Sequence, residues 1–269
     1  MDKKLIVANW KMSPTSLAEA EGILEFVDDY LGSVNDSSVG GEFSLVFCPP
    51  FVFIEEVAKI ISNSHLEHRA FLGAQDISTD DKAALTGEVS GPMLSRFGTR
   101  YVIIGHSERR WKIGESDEVV NKKLKSALRN EFIPIVCIGE IEDFSAKGGS
   151  ASGRKEFLKE QVNRTCEGLT PEEVSRCIIA YEPVWAISSN PGAHPDNPAS
   201  AIESISEIKN ILTEGWKLEA EDLPQVLYGG SVNSKNAGDF LKEKEIDGVL
   251  VGGASVNKEE FVKILALMK

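Results

Sequence analysis

Eight short, nearly continuous apolar runs alternate with amphipathic helical patterns along 269 residues, and no polar linker divides the series. Together these observations predict an α/β chain folded as one domain over residues 1–269, a closed (β/α)8 barrel. Strands read as unbroken apolar runs when both of their faces are covered, as they are in a parallel sheet wrapped by helices.

The first strand, Leu5–Asn9, follows Met1-Asp2-Lys3-Lys4 without a signal-peptide-like apolar stretch. Leu17, Ala20, Leu24, Val27 and Leu31 then recur at steps of three and four, the stripe of a helix lying on a sheet. The segment Gly32–Gly41, rich in Gly, Ser, Asn and Asp, reads as a solvated connection to the second strand, Ser44–Cys48. Phe71–Gln75 and Tyr101–Ile104 are the third and fourth strands, and Val120, Leu124, Ala127 and Leu128 mark the next helix. Ile133–Ile138 and Cys177–Tyr181 follow, separated by Gly148–Gly153, which reads as a flexible loop before a helix. Beyond the sixth strand, Ser188–Pro198 holds three prolines and can continue neither a helix nor a ladder. Ile202, Ile205, Ile208 and Leu212 form the next stripe, Gln225–Leu227 and Gly248–Val251 the last two strands, and Phe261, Ile264, Leu265 and Met268 the closing helix. A doubly wound open sheet would place a Gly-rich dinucleotide turn after an early strand, where this chain has Trp10-Lys11-Met12-Ser13.

The 29 Lys and Arg against 42 Asp and Glu give a formal charge of −13. That balance favours solubility and disfavours nucleic acid or an anionic membrane as partner, while a local pocket can still hold a small anion. Cys48, Cys137, Cys166 and Cys177 show neither a CxxC pair nor zinc spacing, which points to a reducing, cytoplasmic setting and to no metal. No window approaches the 18 or so apolar residues of a membrane span.

Barrel geometry sends the residues that end each strand toward one mouth. Those positions hold Asn9 and Lys11, Gln75, His106 and Glu108, Cys137 and Glu140, Glu182, Ser231, and Gly252-Gly253. Glu182, between Tyr181 and Pro183, is the candidate base; next to Trp185 it would gain basicity from apolar shielding. The alternative is a surface ion-pair partner. His106 follows Ile103-Ile104-Gly105 at a helix start, where it would serve as a neutral electrophile or be merely a packed histidine. Lys11 with Asn9 would offset phosphate or oxyanion charge, unless the lysine is simply solvated. Two glycine turns, Leu227–Val232 and Val251–Ser255, follow strands seven and eight, where this architecture cradles anions with backbone N–H groups of a following short helix. The Gly148–Gly153 segment lacks the Lys-Ser/Thr continuation of a nucleotide P-loop, and Arg109-Arg110 is too short for a nucleic-acid patch.

In order along the chain, Ala8–Met12, Gly73-Ala74-Gln75, Thr86–Ser90, Gly105–Arg110, Cys137–Glu140, Ala180–Ile187, Tyr228–Val232 and Asp247–Ser255 resemble the blocks of the triosephosphate isomerases, from first strand to last. The resemblance implies a TIM barrel that interconverts dihydroxyacetone phosphate and D-glyceraldehyde 3-phosphate, a small phosphorylated three-carbon sugar, with no cofactor and no metal. It implies that Asn9 and Lys11 touch substrate, that His106 is the neutral electrophile with Glu108 as its supporting carboxylate, and that Glu182 is the base. By the same likeness Ser188, Ser231, Gly252 and Gly253 grip phosphate. Pro183, Val184, Trp185, Ala186, Ile187, Ser188, Ser189 and Asn190 form a lid, and Gln75, Thr86, Gly87 and Glu88 belong to a homodimer loop. Where the family has Gly-Thr-Gly-Lys in the lid this chain has Ser188-Ser189-Asn190-Pro191-Gly192, extended by Ala193–Asn197. Asp76 stands for the usual Asn, and Ala83-Ala84-Leu85 for Gly-Ala-Phe. An isomerase of four-carbon ketose phosphates would use the same residues, and a catalytically silent scaffold would be expected to have lost them.

Overall fold

The structure, a computed structural model, describes residues 3–33, 43–144, 150–188 and 190–268. Its strands are β1 (Lys4–Asn9), β2 (Phe43–Cys48), β3 (Ala70–Ala74), β4 (Tyr101–Ile104), β5 (Ile133–Ile138), β6 (Ile178–Tyr181), β7 (Gln225–Tyr228) and β8 (Gly248–Val251). They pair in parallel, each with its sequence neighbours, and β8 returns to β1 to close the barrel. Leu5 lies opposite Gly248 and Ala8 opposite Val251 in that closing register.

The helices are α1 (Leu17–Ser33), α2 (Ile54–Ser62), α3 (Gly91–Ser95), α4 (Asp117–Arg129), α5 (Ala151–Thr165), α6 (Pro171–Ser175), α7 (Pro198–Trp216), α8 (Ala237–Leu241) and α9 (Lys258–Leu265). Several begin where local chemistry demands it. Ser116, Ser150, Asn197 and Asn257 each accept a backbone N–H from the first turn of the helix they precede. Thr170 and Glu173 exchange reciprocal bonds in a capping box, and Pro171 supplies the preset first turn.

Strand alternation divides the core into two layers. Leu5, Val7, Val46, Cys48, Ile103, Ile135, Cys137, Ala180, Leu227 and Leu250 fill the barrel, while Ile6, Ala8, Leu45, Phe47 and Val136 face the helices. All of these side chains are buried, so the interior is packed and chemistry is confined to the rim.

Several boundaries differ from the sequence expectation. Gln75 and Cys177 fall outside strands, while Lys4, Phe43, Ala70 and Tyr228 extend them. Hydrogen-bonded neighbours, invisible to composition, decide those ends. Gly32 belongs to α1, and the rest of the expected connection to the second strand lies outside the described residues from 34 on. Ala151–Gly153 open α5 rather than extending a loop, because Ser150 caps the helix there; 145–149 lie outside the described residues. Pro198 starts α7 rather than ending the preceding loop, with Asn197 as its cap.

Candidate active site

A cavity of ≈ 440 Å³ opens at the C-terminal mouth of the barrel, a volume in the range of small-ligand sites. Asn9, Lys11, His106, Glu108, Glu182, Ser188, Ser231, Gly252 and Gly253 all line it. Gln75, Cys137 and Glu140 do not. Of the expected lid, Ile187 and Ser188 reach the cavity, and Ser189 lies outside the described residues. Leu250 and Asn233 line it without having been singled out by sequence.

Glu182 leaves the end of β6 with only 2% of its surface exposed, which rules out a surface ion-pair partner. Its Oε2 accepts the Ser107 backbone N–H at 2.9 Å and its Oε1 lies 3.1 Å from His106 Nε2. Two glycines make room for it. A Cβ on Gly229 would sit 2.8 Å from Glu182 Cγ, and one on Gly139 only 1.9 Å from Glu182 O. Trp185 does not shield this carboxylate as expected: its indole N–H donates to Glu140 Oε1 at 3.1 Å, beside the Tyr181 hydroxyl at 2.7 Å. Cys137 also departs from the expectation. It lies inside the barrel next to Glu182, where burial and that carboxylate's charge push its thiol well up.

His106 ends the β4 crossing, and the helical turn that starts at Ser107 continues as a π-helix over Arg109–Ile113. The Glu108 backbone N–H donates to His106 Nδ1 at 3.2 Å. A ring nitrogen that accepts a hydrogen bond carries no proton, so the imidazole is neutral, with its proton on Nε2 facing Glu182. Buried Arg110 pins this turn through Gly105 O, Cys137 O and Asp117, a support that only the folded chain reveals.

Lys11 sits in the left-handed region at φ 54, unusual for a residue with a Cβ. Three contacts hold it there. Asn9 Oδ1 accepts the Lys11 N–H at 3.0 Å, Gln75 Nε2 donates to Lys11 O at 2.9 Å, and Lys11 Nζ pairs with Glu108 Oε1 at 2.8 Å. Gln75 also donates to Cys48 O at 2.9 Å, tying the β1, β2 and β3 ends together. Glu108 therefore stands at the cavity wall as the lysine's partner. Burial pushes its carboxyl up, but the Lys11 hydrogen bond and charge prevail and hold it below the usual range. Lys11 is the one cation among the described residues lining the cavity.

The segments expected to cradle an anion meet at one side of the cavity. The Ser188 N–H donates to Ser231 Oγ at 2.7 Å, and Asn236 Nδ2 fixes Ser231 O at 2.8 Å. A 3-10 turn begins at Gly253, and its leading amides border the cavity. After Ser231, by contrast, no helix starts at once; α8 begins at Ala237.

Beyond Gln75 the expected dimer loop divides. Asp76 is buried and binds Lys123 at 2.6 and 2.8 Å and Arg109 at 2.9 Å, while Glu115 bridges the same two cations. Residues 80–88, with Thr86, Gly87 and Glu88, are exposed, braced on α4 by Asp81 with Arg129 and Asn130.

Comparison with known proteins agrees with this geometry. Residues 4–268 match the profile of the family described as triosephosphate isomerase. The chain is similar to the triosephosphate isomerase of Symbiobacterium thermophilum, 41% identical over 99% of this chain and 97% of that one. It is similar to that of Endomicrobium trichonymphae, at 40% over the whole of both chains, and to that of Thermoanaerobacter sp. (strain X514), at 39% over 98% and 99%.

Proposed function

This chain belongs to the triosephosphate isomerase family, and from that premise we propose how its own residues carry the reaction. The enzyme is a cofactor-independent isomerase that interconverts dihydroxyacetone phosphate and D-glyceraldehyde 3-phosphate. Glu182 is the base. It leaves the Ser107 N–H as substrate enters, takes a proton from the carbon beside the carbonyl and forms an enediolate. Neutral His106, through its Nε2–H, moves a proton between the two oxygens. Lys11 and the Asn9 amide stabilise the negative charge on those oxygens, and Glu108 holds the lysine in place. Glu182 then returns its proton to the neighbouring carbon.

The observation that carries this reading is the 3.1 Å contact between Glu182 and His106 at the floor of a cavity that also holds Lys11. Ser188, Ser231, Gly252 and Gly253 receive the phosphate, whose binding energy positions a very small reacting fragment. Turnover of three- and four-carbon phosphates by the purified protein tests the assignment. The expected result is a higher kcat/KM for glyceraldehyde 3-phosphate than for erythrulose phosphates; the reverse order would overturn it.

The working unit is a homodimer. Supporting this, Met12, Leu85, Trp111 and Ile113 are exposed large apolar side chains on segments that Gln75, Glu108 and Arg109 tie together around the site. Thr86, Gly87 and Glu88 belong to the same exposed loop, and Thr86 is the residue that reaches toward the partner. The location is cytoplasmic, supported by four free, buried thiols. No helix among the described residues is long and apolar enough to cross a membrane. The charge of −13 speaks against a nucleic-acid partner.

A further inference from the structure

The loop between β6 and α7 has two limbs. The rising limb faces the cavity through Ile187 and Ser188. The descending limb, which carries this chain's Ala193–Asn197 extension, is fastened by His194. Its Nε2 lies 3.2 Å from Asp143 Oδ2, in the segment after β5. Its ring lies against the Trp185 indole, centroids 4.8 Å apart and planes inclined by 31°, and its backbone N–H donates to Trp185 O at 3.3 Å. Trp185 is itself held by Glu140. Between the limbs, Asn190 bonds Val184 O through its side chain at 2.9 Å and Ile187 O through its backbone N–H at 2.9 Å.

His194 thus joins three segments without lining the cavity. The contact with Asp143 is half exposed on the histidine side, so electrostatics adds little there. Its value is geometric: one directional bond, one tilted ring contact and one backbone bond converge on a single residue. A loop ordered before the ligand arrives spends less binding energy on becoming ordered. The Ser188 N–H, aimed at Ser231 Oγ, is the group that benefits.

We propose that His194 is a positioning residue for the isomerisation: with Asp143 it clamps the descending limb of the lid against Trp185, so that the phosphate-facing Ser188 N–H is preset over Ser231. The inference rests on the isomerase reading above. Because the clamp acts through the phosphate grip, it matters only for substrates that carry a phosphate.

The test compares full-length wild type, His194→Ala, Asp143→Ala and the double variant on glyceraldehyde 3-phosphate and on unphosphorylated glyceraldehyde. Each single variant should raise KM for the phosphorylated substrate about fivefold to tenfold with kcat nearly unchanged. Inhibition by inorganic phosphate should weaken in step. Turnover of glyceraldehyde should stay at the wild-type level, and the double variant should be no worse than either single one. An unchanged KM, equal losses on both substrates, or additive effects in the double variant would overturn the clamp. Wild type that failed to turn over the triose phosphate would overturn the isomerase reading instead.

Discussion

Glu182 Oε1 lies 3.1 Å from His106 Nε2, so the base and the electrophile touch each other before any substrate separates them. The Ser107 N–H completes this resting contact. Substrate must therefore replace two interactions of Glu182 with one short approach to a carbon, and the reach of the side chain is critical.

Shortening that reach tests the base directly. Glu182→Asp should lower kcat by about 10²-fold or more, since a misplacement of roughly 1 Å costs that much, while the melting curve stays close to wild type. Unchanged turnover in a steady-state assay would remove Glu182 from the role.

The two glycines beside Glu182 should fail in different ways. Gly229→Ala puts a methyl 2.8 Å from Glu182 Cγ and 3.3 Å from Tyr181 O, so a kcat loss on the order of tenfold is expected, with a smaller loss of stability than at Gly139. Gly139→Ala drives a methyl into the Glu182 carbonyl, a backbone atom that cannot yield, and should destabilise the fold by about 1–3 kcal/mol or more. Thermal melts alongside kinetics separate the two; similar stability losses in both would contradict the distinction.

The buried charges behind the dimer loop carry a stability prediction. Asp76 and Lys123 are both buried and doubly bonded to each other. Lys123→Met leaves Asp76, whose burial already pushes its pKa up, with Arg109 as its remaining cation, and should cost up to about 3 kcal/mol. Adding Asp76→Asn should recover part of that loss. Additive destabilisation in denaturant titrations of the two singles and the double would show that the pair is not coupled.

Asp196, in the lid extension, gives a pH dependence of the opposite sign from an ordinary paired carboxylate. Burial pushes it from 3.8 to about 6, with Glu140 and Asp143 adding repulsion. The folded chain then binds more protons than the unfolded chain between about pH 4 and pH 6, so this group's contribution to stability falls as pH rises through about 6 and stays low above it. The penalty of the ionised form is at most about 3 kcal/mol, and less because the group is only partly buried. Asp196→Asn should thus stabilise by about 1–2 kcal/mol at pH 8 and by almost nothing near pH 4. A gain that does not depend on pH would refute the assignment.

The strands were readable because burial on both faces writes itself into composition, and Asn9, His106 and Glu182 because they stand where strands end. What sequence could not reveal depends on partners far along the chain. Gln75 secures Lys11 from 64 residues away, and the Ser107 amide meets Glu182 across 75. Trp185, three residues from the base in sequence and within the 3-10 turn Val184–Ala186, donates instead to Glu140, 45 residues away. Asp76 stands where the family has Asn, and only the fold reveals the two cations, Lys123 and Arg109, that its charge meets.

The seam between β1 and β8 gives the site a date as well as a place. Lys11 follows the first strand of the barrel and Gly252 the last, yet the position of a Gly252 Cβ is 3.1 Å from Lys11 Cε. A growing chain released from the ribosome residue by residue has every proton-transfer group long before it has this cradle. The side of the cradle next to Lys11 therefore exists only once β8 has paired with β1, so closure of the barrel and assembly of the site are one event.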